Sequence, residues 1–171
     1  DDFSEAYHPL SPIFTRGNSY ESQFLRKKDI MKIKPVTEEE KQSWPKEVIV
    51  PLKDTFADER GEIQPLVDTT MESCVFITSK KGTVRANHYH KTDWHYCYVT
   101  EGEIDYFHRP HGSDAIPEKV TVKKGQLFFT PPMVDHAMVF TQDSTFVTLG
   151  RNSREQEVYE ADVERIEMVK V

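Results

Sequence analysis

Four of the chain's seven histidines fall in a spacing that suits a metal ion. The run from Gly82 to His95 holds His88, His90 and His95, and His136 follows about forty residues later, after Gly125 and the pair Pro131–Pro132. In a β-strand, residues two apart project from the same face. His88 and His90 would then stand side by side, with the bite two imidazoles need to share one cation. Neutral imidazole is a common ligand of zinc, iron, nickel and manganese. Nitrogen donors without a thiolate leave open positions on a six-coordinate ion, which marks a catalytic site more than a structural one. The expected ligands are therefore His88, His90, His95 and His136, holding a divalent transition metal (Fe, Zn, Mn or Ni). His8, His108 and His111 lie outside the spacing and are expected at the surface.

These side chains need strands to aim them. From Glu47 onward short apolar or alternating runs recur: 48–52, 61–67, 73–79, 83–89, 94–100, 103–109, 119–122, 126–130, 136–141 and 145–149. Turn signals separate them at 58–61, 80–82, 101–102 and 123–125. Many short strands at this interval indicate an all-β sandwich or barrel. Period-two alternation places His95, Cys97 and Val99 on one face, with Trp94, Tyr96 and Tyr98 on the outside or at a subunit interface. His136 shares its inward face with Met138 and Phe140. Arg85, Asn87 and Tyr89 face away from His88 unless a bulge near Asn87 re-aims them. Phe128, Phe129, Phe140 and Phe146 read as core.

Residues 1–47 are polar and irregular and are expected to form an arm, leaving 48–171 as the barrel domain. Within the arm, Asn18 caps a short helix over Tyr20–Lys28, and Thr37 with Glu40 forms a capping box that opens a turn or two before Pro45. The segment 110–117 is a loop between strands. Arg151–Arg165 reads most simply as a solvated exit segment, and 162–171 as a last strand or a short helix. Asp135 beside His136 either orients it or is a solvated turn aspartate; the second is the simpler reading.

With 37% hydrophobic and 11% aromatic residues the chain can bury a core. A net charge of −7 and no long basic cluster argue against nucleic acid, while a local cationic pocket for an anion stays compatible with it. No apolar run approaches eighteen residues, so no membrane span is expected. Cys74 and Cys97 form no paired motif and read as small buried hydrophobes in a reducing, cytoplasmic setting.

The histidine spacing also resembles the cupin superfamily. Gly82, His88, His90 and Gly102 fall where the first cupin motif has its glycine, His-x-His pair and closing glycine, with His95 at its glutamate position. Gly125, Pro131 and His136 fall in the second motif, where Met133 stands in place of a glycine and Phe140 in place of an asparagine. The resemblance covers about 61–149 and implies a double-stranded β-helix (jelly roll). More narrowly, Asp58–Gly61, Arg85 with Ala86 through Lys91, Glu118–Gly125 and Pro132–Met138 look like the nucleotide-sugar cupins, the sugar 3,4-ketoisomerases and polysaccharide-biosynthesis domains. That likeness implies that His88 and His90 move a proton between neighbouring carbons of a 4-keto sugar, generally without metal. It implies that Arg85 holds a diphosphate or an enediolate oxygen. His95 departs from that pattern.

The functional expectation is a metal-binding cupin acting on a small polar organic substrate, with isomerase or epimerase chemistry on a sugar or nucleotide sugar leading. The alternatives are a metal-dependent dioxygenase and a non-catalytic ligand-binding cupin. Irregular termini and exposed sheet edges suggest a homodimer.

Overall fold

The computed structural model describes residues 33–170. Its elements run α1 (Glu38–Ser43), β1 (Ile49–Val50), β2 (Phe56–Asp58), β3 (Gly61–Ile63), β4 (Ser73–Ser79), β5 (Val84–His90), β6 (His95–Glu101), β7 (Glu103–Pro110), β8 (Glu118–Lys123), β9 (Leu127–Thr130), β10 (Val134–Phe140), β11 (Ser144–Gly150), α2 (Gln156–Asp162) and β12 (Val163–Arg165). One sheet has the order β1-β9-β6-β11-β4, and a second has β12-β5-β10-β7-β8. Every pairing is antiparallel, so this is the expected all-β jelly roll. Hairpin β2-β3 stands apart from both sheets. Among the described residues no helix is long and apolar enough to cross a membrane.

The core lies between the sheets, where alternate residues meet: Cys97, Val99, Ile104, Tyr106, Val122, Phe128, Met138, Phe140 and Phe146. Each fully buried aromatic there contributes about 1.5–3 kcal/mol of transfer free energy. Phe129, one residue on from Phe128, is buried on the opposite face. It pairs across the ladder with Tyr96 and packs near Trp94 and Trp44. The outward aromatic stripe is thus covered in part by Trp44, which follows α1.

The capping box forms as the sequence predicts: Thr37 Oγ1 accepts from Glu40 N at 3.2 Å, and Glu40 Oε2 accepts from Thr37 N at 2.7 Å. Asn18, the helix expected over Tyr20–Lys28, and His8 lie outside the described residues. Arg151, at the end of β11, clasps this region. Its Nη1 and Nη2 donate to the carbonyls of Lys34 and Pro35 at 2.8 Å each, and its Nε and Nη2 reach the Glu40 carboxylate. Burial alone would raise the Glu40 carboxyl, but hydrogen bonds from Arg151 and the Thr37 backbone hold it below the usual glutamate range. A depressed carboxylate contributes stability in full above its unfolded pKa and loses it as pH falls through the folded value. Arg151→Ala should therefore cost about 2 kcal/mol in denaturant unfolding at neutral pH. The deficit should shrink in acid; one that is the same at both pH values would mean that Arg151 acts by packing alone.

Two expectations need correction. Cys74 is exposed on edge strand β4, because it alternates with the inward-facing Ser73 and Val75; only Cys97 is buried. His108 is not a free surface residue: it pairs with His136 across the β7–β10 ladder and stacks near Tyr106 at 5.4 Å.

Candidate active site

Strand β5 carries His88 and His90, and antiparallel pairing sets His136 of β10 directly opposite His88. His95 opens β6 in the facing sheet. Ring centroids of His88 lie 4.7 Å from both His90 and His136, and those of His95 lie 5.4 Å from His90 and 5.7 Å from His136. One ligating atom from each of His88, His90 and His136 falls within 4.8 Å of the others, and the same holds for His90, Asp93 and His95. The four histidines thus gather as two overlapping threes that share His90.

What holds the rings fixes their chemistry. His90 Nδ1 lies 2.9 Å from Asp162 Oδ2, with the two side chains 4% and 1% exposed. His136 Nδ1 lies 3.0 Å from the Val134 carbonyl. His95 Nδ1 is 3.4 Å from Asp93 Oδ2. A carbonyl or carboxylate only accepts, so Nδ1 carries the hydrogen in each ring and Nε2 keeps its lone pair. Burial, with the neighbouring imidazoles, pushes His88 and His136 far below the usual histidine range, and burial outweighs Asp93 in lowering His95. Neutral imidazoles with clustered lone pairs repel unless a cation or a donor lies between them. The donor set therefore fits a divalent ion, with Asp162, Asp93 and the Val134 carbonyl behind the ligands as metal-binding histidines require.

Asp162 is the residue that sequence reasoning missed. Burial would raise its carboxyl, yet hydrogen bonds from His90 and Thr92 hold it below the usual range. It also accepts from Thr92 N and Thr92 Oγ1 at 2.7 Å each and from Asp93 N at 3.1 Å. It arrives on α2, the segment expected to be a solvated exit. Beyond α2, β12 pairs with β5, placing Val163 against His90. Tyr159 comes with it, its ring 5.8 Å from His90 and 6.4 Å from His88. The available signal was the three-residue step from Tyr159 to Asp162, which puts both on one helical face.

Arg85 is re-aimed as the bulge condition allowed. The β5–β10 register slips between His136 and Ala137, leaving Asn87 without a partner on β10, and Ala86 and Asn87 take φ of 65° and 53°. Arg85 then pairs with Met138 and lines the histidine cavity, donating from Nε to Ser79 Oγ at 2.6 Å and from Nη2 to the Thr78 carbonyl at 2.8 Å. Asp135 does not orient His136, and it is buried rather than solvated. It binds Arg109 and His111, tying down the 111–117 loop. The cavity is about 150 Å³ and is closed in part by Asn152, Arg154 and Tyr159. Cys97 lines it as well, its thiol pushed up to about 12 by burial.

No curated protein matches the chain. Among solved structures it is similar to a dTDP sugar isomerase from Desulfovibrio desulfuricans G20, with 16% identity and a TM-score of 0.56 over 70% of this chain and 83% of that one. It is similar to a double mutant of the QdtA 3,4-ketoisomerase from Thermoanaerobacterium thermosaccharolyticum in complex with TDP, with 20% identity and a TM-score of 0.55 over 68% and 85%. A dTDP-4-dehydrorhamnose 3,5-epimerase from Sulfolobus tokodaii matches with 16% identity and a TM-score of 0.51 over 64% and 78%. Identities this low establish a shared fold alone. The family model described as "Cupin domain" matches residues 75–149, which contain all four clustered histidines. Residues 75–149 are thus similar to the cupin domain.

Proposed function

We propose that this chain is a metal-binding cupin enzyme that isomerises or epimerises a sugar or nucleotide sugar. Residues 1–47 serve as an arm on a barrel domain of residues 48–171, and the chain acts as a homodimer. The observation that carries the reading is the gathering of His88, His90, His95 and His136 with Nδ1 of three rings held from behind. The solved structures of similar fold, themselves sugar isomerases and epimerases, support the reaction class.

His88, His90 and His136 would hold the ion, and His95, grouped with His90 and Asp93, would stand beside them as a further nitrogen donor. A bound divalent cation would polarise a substrate carbonyl or hydroxyl oxygen as a Lewis acid. The chain's own groups do the rest. Asp162 fixes the His90 ring and its tautomer. Arg85 supplies a fork of donors at the cavity wall for an oxygen that gains charge as a neighbouring C–H proton leaves. Apolar Val75, Ile77 and Met138 in the lining limit water, which strengthens each of these contacts.

One observation favours a second reading. The buried His90–Asp162 pair is also the arrangement of a general base whose Nε2 faces substrate, which would shuttle the proton without metal. Elemental analysis of protein purified without an affinity tag separates the two. The metal reading expects a stoichiometric divalent ion, lost or bound at least tenfold more weakly, on the order of second-sphere effects or larger, in His136→Ala. Metal-free protein that exchanges substrate protons with solvent deuterium would establish the second reading. Metal-free protein without exchange would sink both.

A further inference from the structure

Six arginines lie among the described residues. Four are paired with a carboxylate: Arg60 with Asp58, Arg109 with Asp135, Arg151 with Glu40 and Arg165 with Glu160. The other two, Arg85 and Arg154, have no carboxylate partner among the described residues, and both line the histidine cavity. With 29 acidic residues against 22 basic ones, acids are not scarce in this chain. Arg85 gives its bonds to neutral oxygens of Ser79 and Thr78. Arg154 is stacked over Tyr159, its Cζ 4.1 Å from the ring centroid, a contact of the guanidinium face that holds the group in place without using its N–H donors.

The acids in the cavity wall are already committed. Asp162 accepts from Thr92, Asp93 N and His90, and Asp93 accepts from Asn152 N at 2.8 Å and faces His95. Neither is bonded to Arg85 or Arg154. An anion that entered would meet the guanidinium fork of Arg154 and the Arg85 N–H groups that Ser79 and Thr78 leave over, donors that match carboxylate and phosphate oxygens.

We infer that Arg154, together with Arg85, selects the substrate by an oxyanion that it carries, a carboxylate or a phosphate, bound in the cavity beside the histidines. This rests on the cavity being the substrate site. A cavity of about 150 Å³ encloses little more than one sugar-sized skeleton, so a carboxylate would be held wholly inside it. A phosphate has further room, because Arg85 also lines an open groove of about 780 Å³ on its other side.

Titration calorimetry with glucuronate, glucose 1-phosphate and glucose tests this on the parent protein and on Arg154→Met, Arg85→Met and Arg60→Met. Methionine keeps an apolar cover over Tyr159 and removes only the donors and the charge. At least one anion should bind about tenfold or more tightly than glucose, and Arg154→Met and Arg85→Met should each weaken it by about tenfold or more. Arg60→Met, which alters an exposed pair on hairpin β2-β3, should bind as the parent does. Preference for glucuronate assigns a carboxylate, and preference for glucose 1-phosphate a phosphate. Equal binding of all three sugars, or Arg154→Met binding like the parent, would overturn the inference. Metal content, measured on the same preparations, reports the catalytic reading separately: protein without metal that still binds an anion through Arg154 would leave this inference standing.

Discussion

Asp162→Asn is expected to lower turnover by about two to four orders of magnitude and metal affinity by about 10–100-fold, with the fold retained. The carboxylate accepts four hydrogen bonds in a buried site: two from Thr92, one from Asp93 N and one from His90 Nδ1. An amide has one accepting oxygen. If that oxygen stays on Thr92 N, the NH2 group faces His90 and Asp93 N. His90 can meet it only by moving its hydrogen from Nδ1 to Nε2. The pocket then faces an N–H where it had a lone pair, and neither a ligand nor a base remains at that nitrogen. Leaving Asp93 N unsatisfied adds about 1–3 kcal/mol of instability. Solvent-deuterium exchange, metal stoichiometry and thermal unfolding of the one variant read all three effects. An Asp162→Asn protein with parent metal content and turnover would reduce Asp162 to a structural clip between α2 and β5.

The contrast between Asp162 and the histidines explains how much of the site could be read in advance. His88 and His90 are two apart on one strand, and a period of two decides their common face whatever surrounds them. His95 and His136 start or follow runs whose inward residues, Cys97 and Val99 or Met138 and Phe140, are apolar and buried, so hydrophobic alternation pointed them inward. Asp162 lies 72 residues from His90, on a helix of seven residues with a charged surface, and the three-residue step from Tyr159 does not by itself distinguish it from a solvated acid. The bulge was legible only as a condition. What stabilises it is distant: the Asn87 side chain donates to the Val169 carbonyl at 2.8 Å and accepts from Val169 N at 3.0 Å. Two departures have a local explanation. Met133, standing where the cupin motif has glycine, takes φ of 58°, the left-handed region in which a side chain carries strain. Hairpin β2 went unread because Phe56–Asp58 is short, and its Phe56 is exposed rather than alternating into a core.

Gly102 gives the second large effect, on stability rather than chemistry. It follows β6 at the end away from His95, with φ of 84°. A methyl added there would press on Ser144 Oγ and the Asp143 carbonyl and lie 2.8 Å from Ser144 Cα. Ser144 cannot yield freely: its Oγ accepts from Glu103 N at 3.1 Å and donates to the Gln142 carbonyl at 2.9 Å, joining the β6–β7 and β10–β11 turns. Left-handed strain of about 1–2 kcal/mol and overpacking of about 1–3 kcal/mol should together make Gly102→Ala cost about 3–4 kcal/mol. Gly112 separates the two causes. It has φ of 80° and nothing within 4 Å of an added methyl, so Gly112→Ala should show the backbone cost alone, about 1 kcal/mol. Denaturant unfolding of the pair decides it: equal losses would mean that the turn moves to admit the methyl and that Ser144 is no barrier. In either case the folded fraction of Gly102→Ala should keep parent metal stoichiometry, because the histidines are fixed from the opposite end of the strands by Asp162, Asp93 and the Val134 carbonyl.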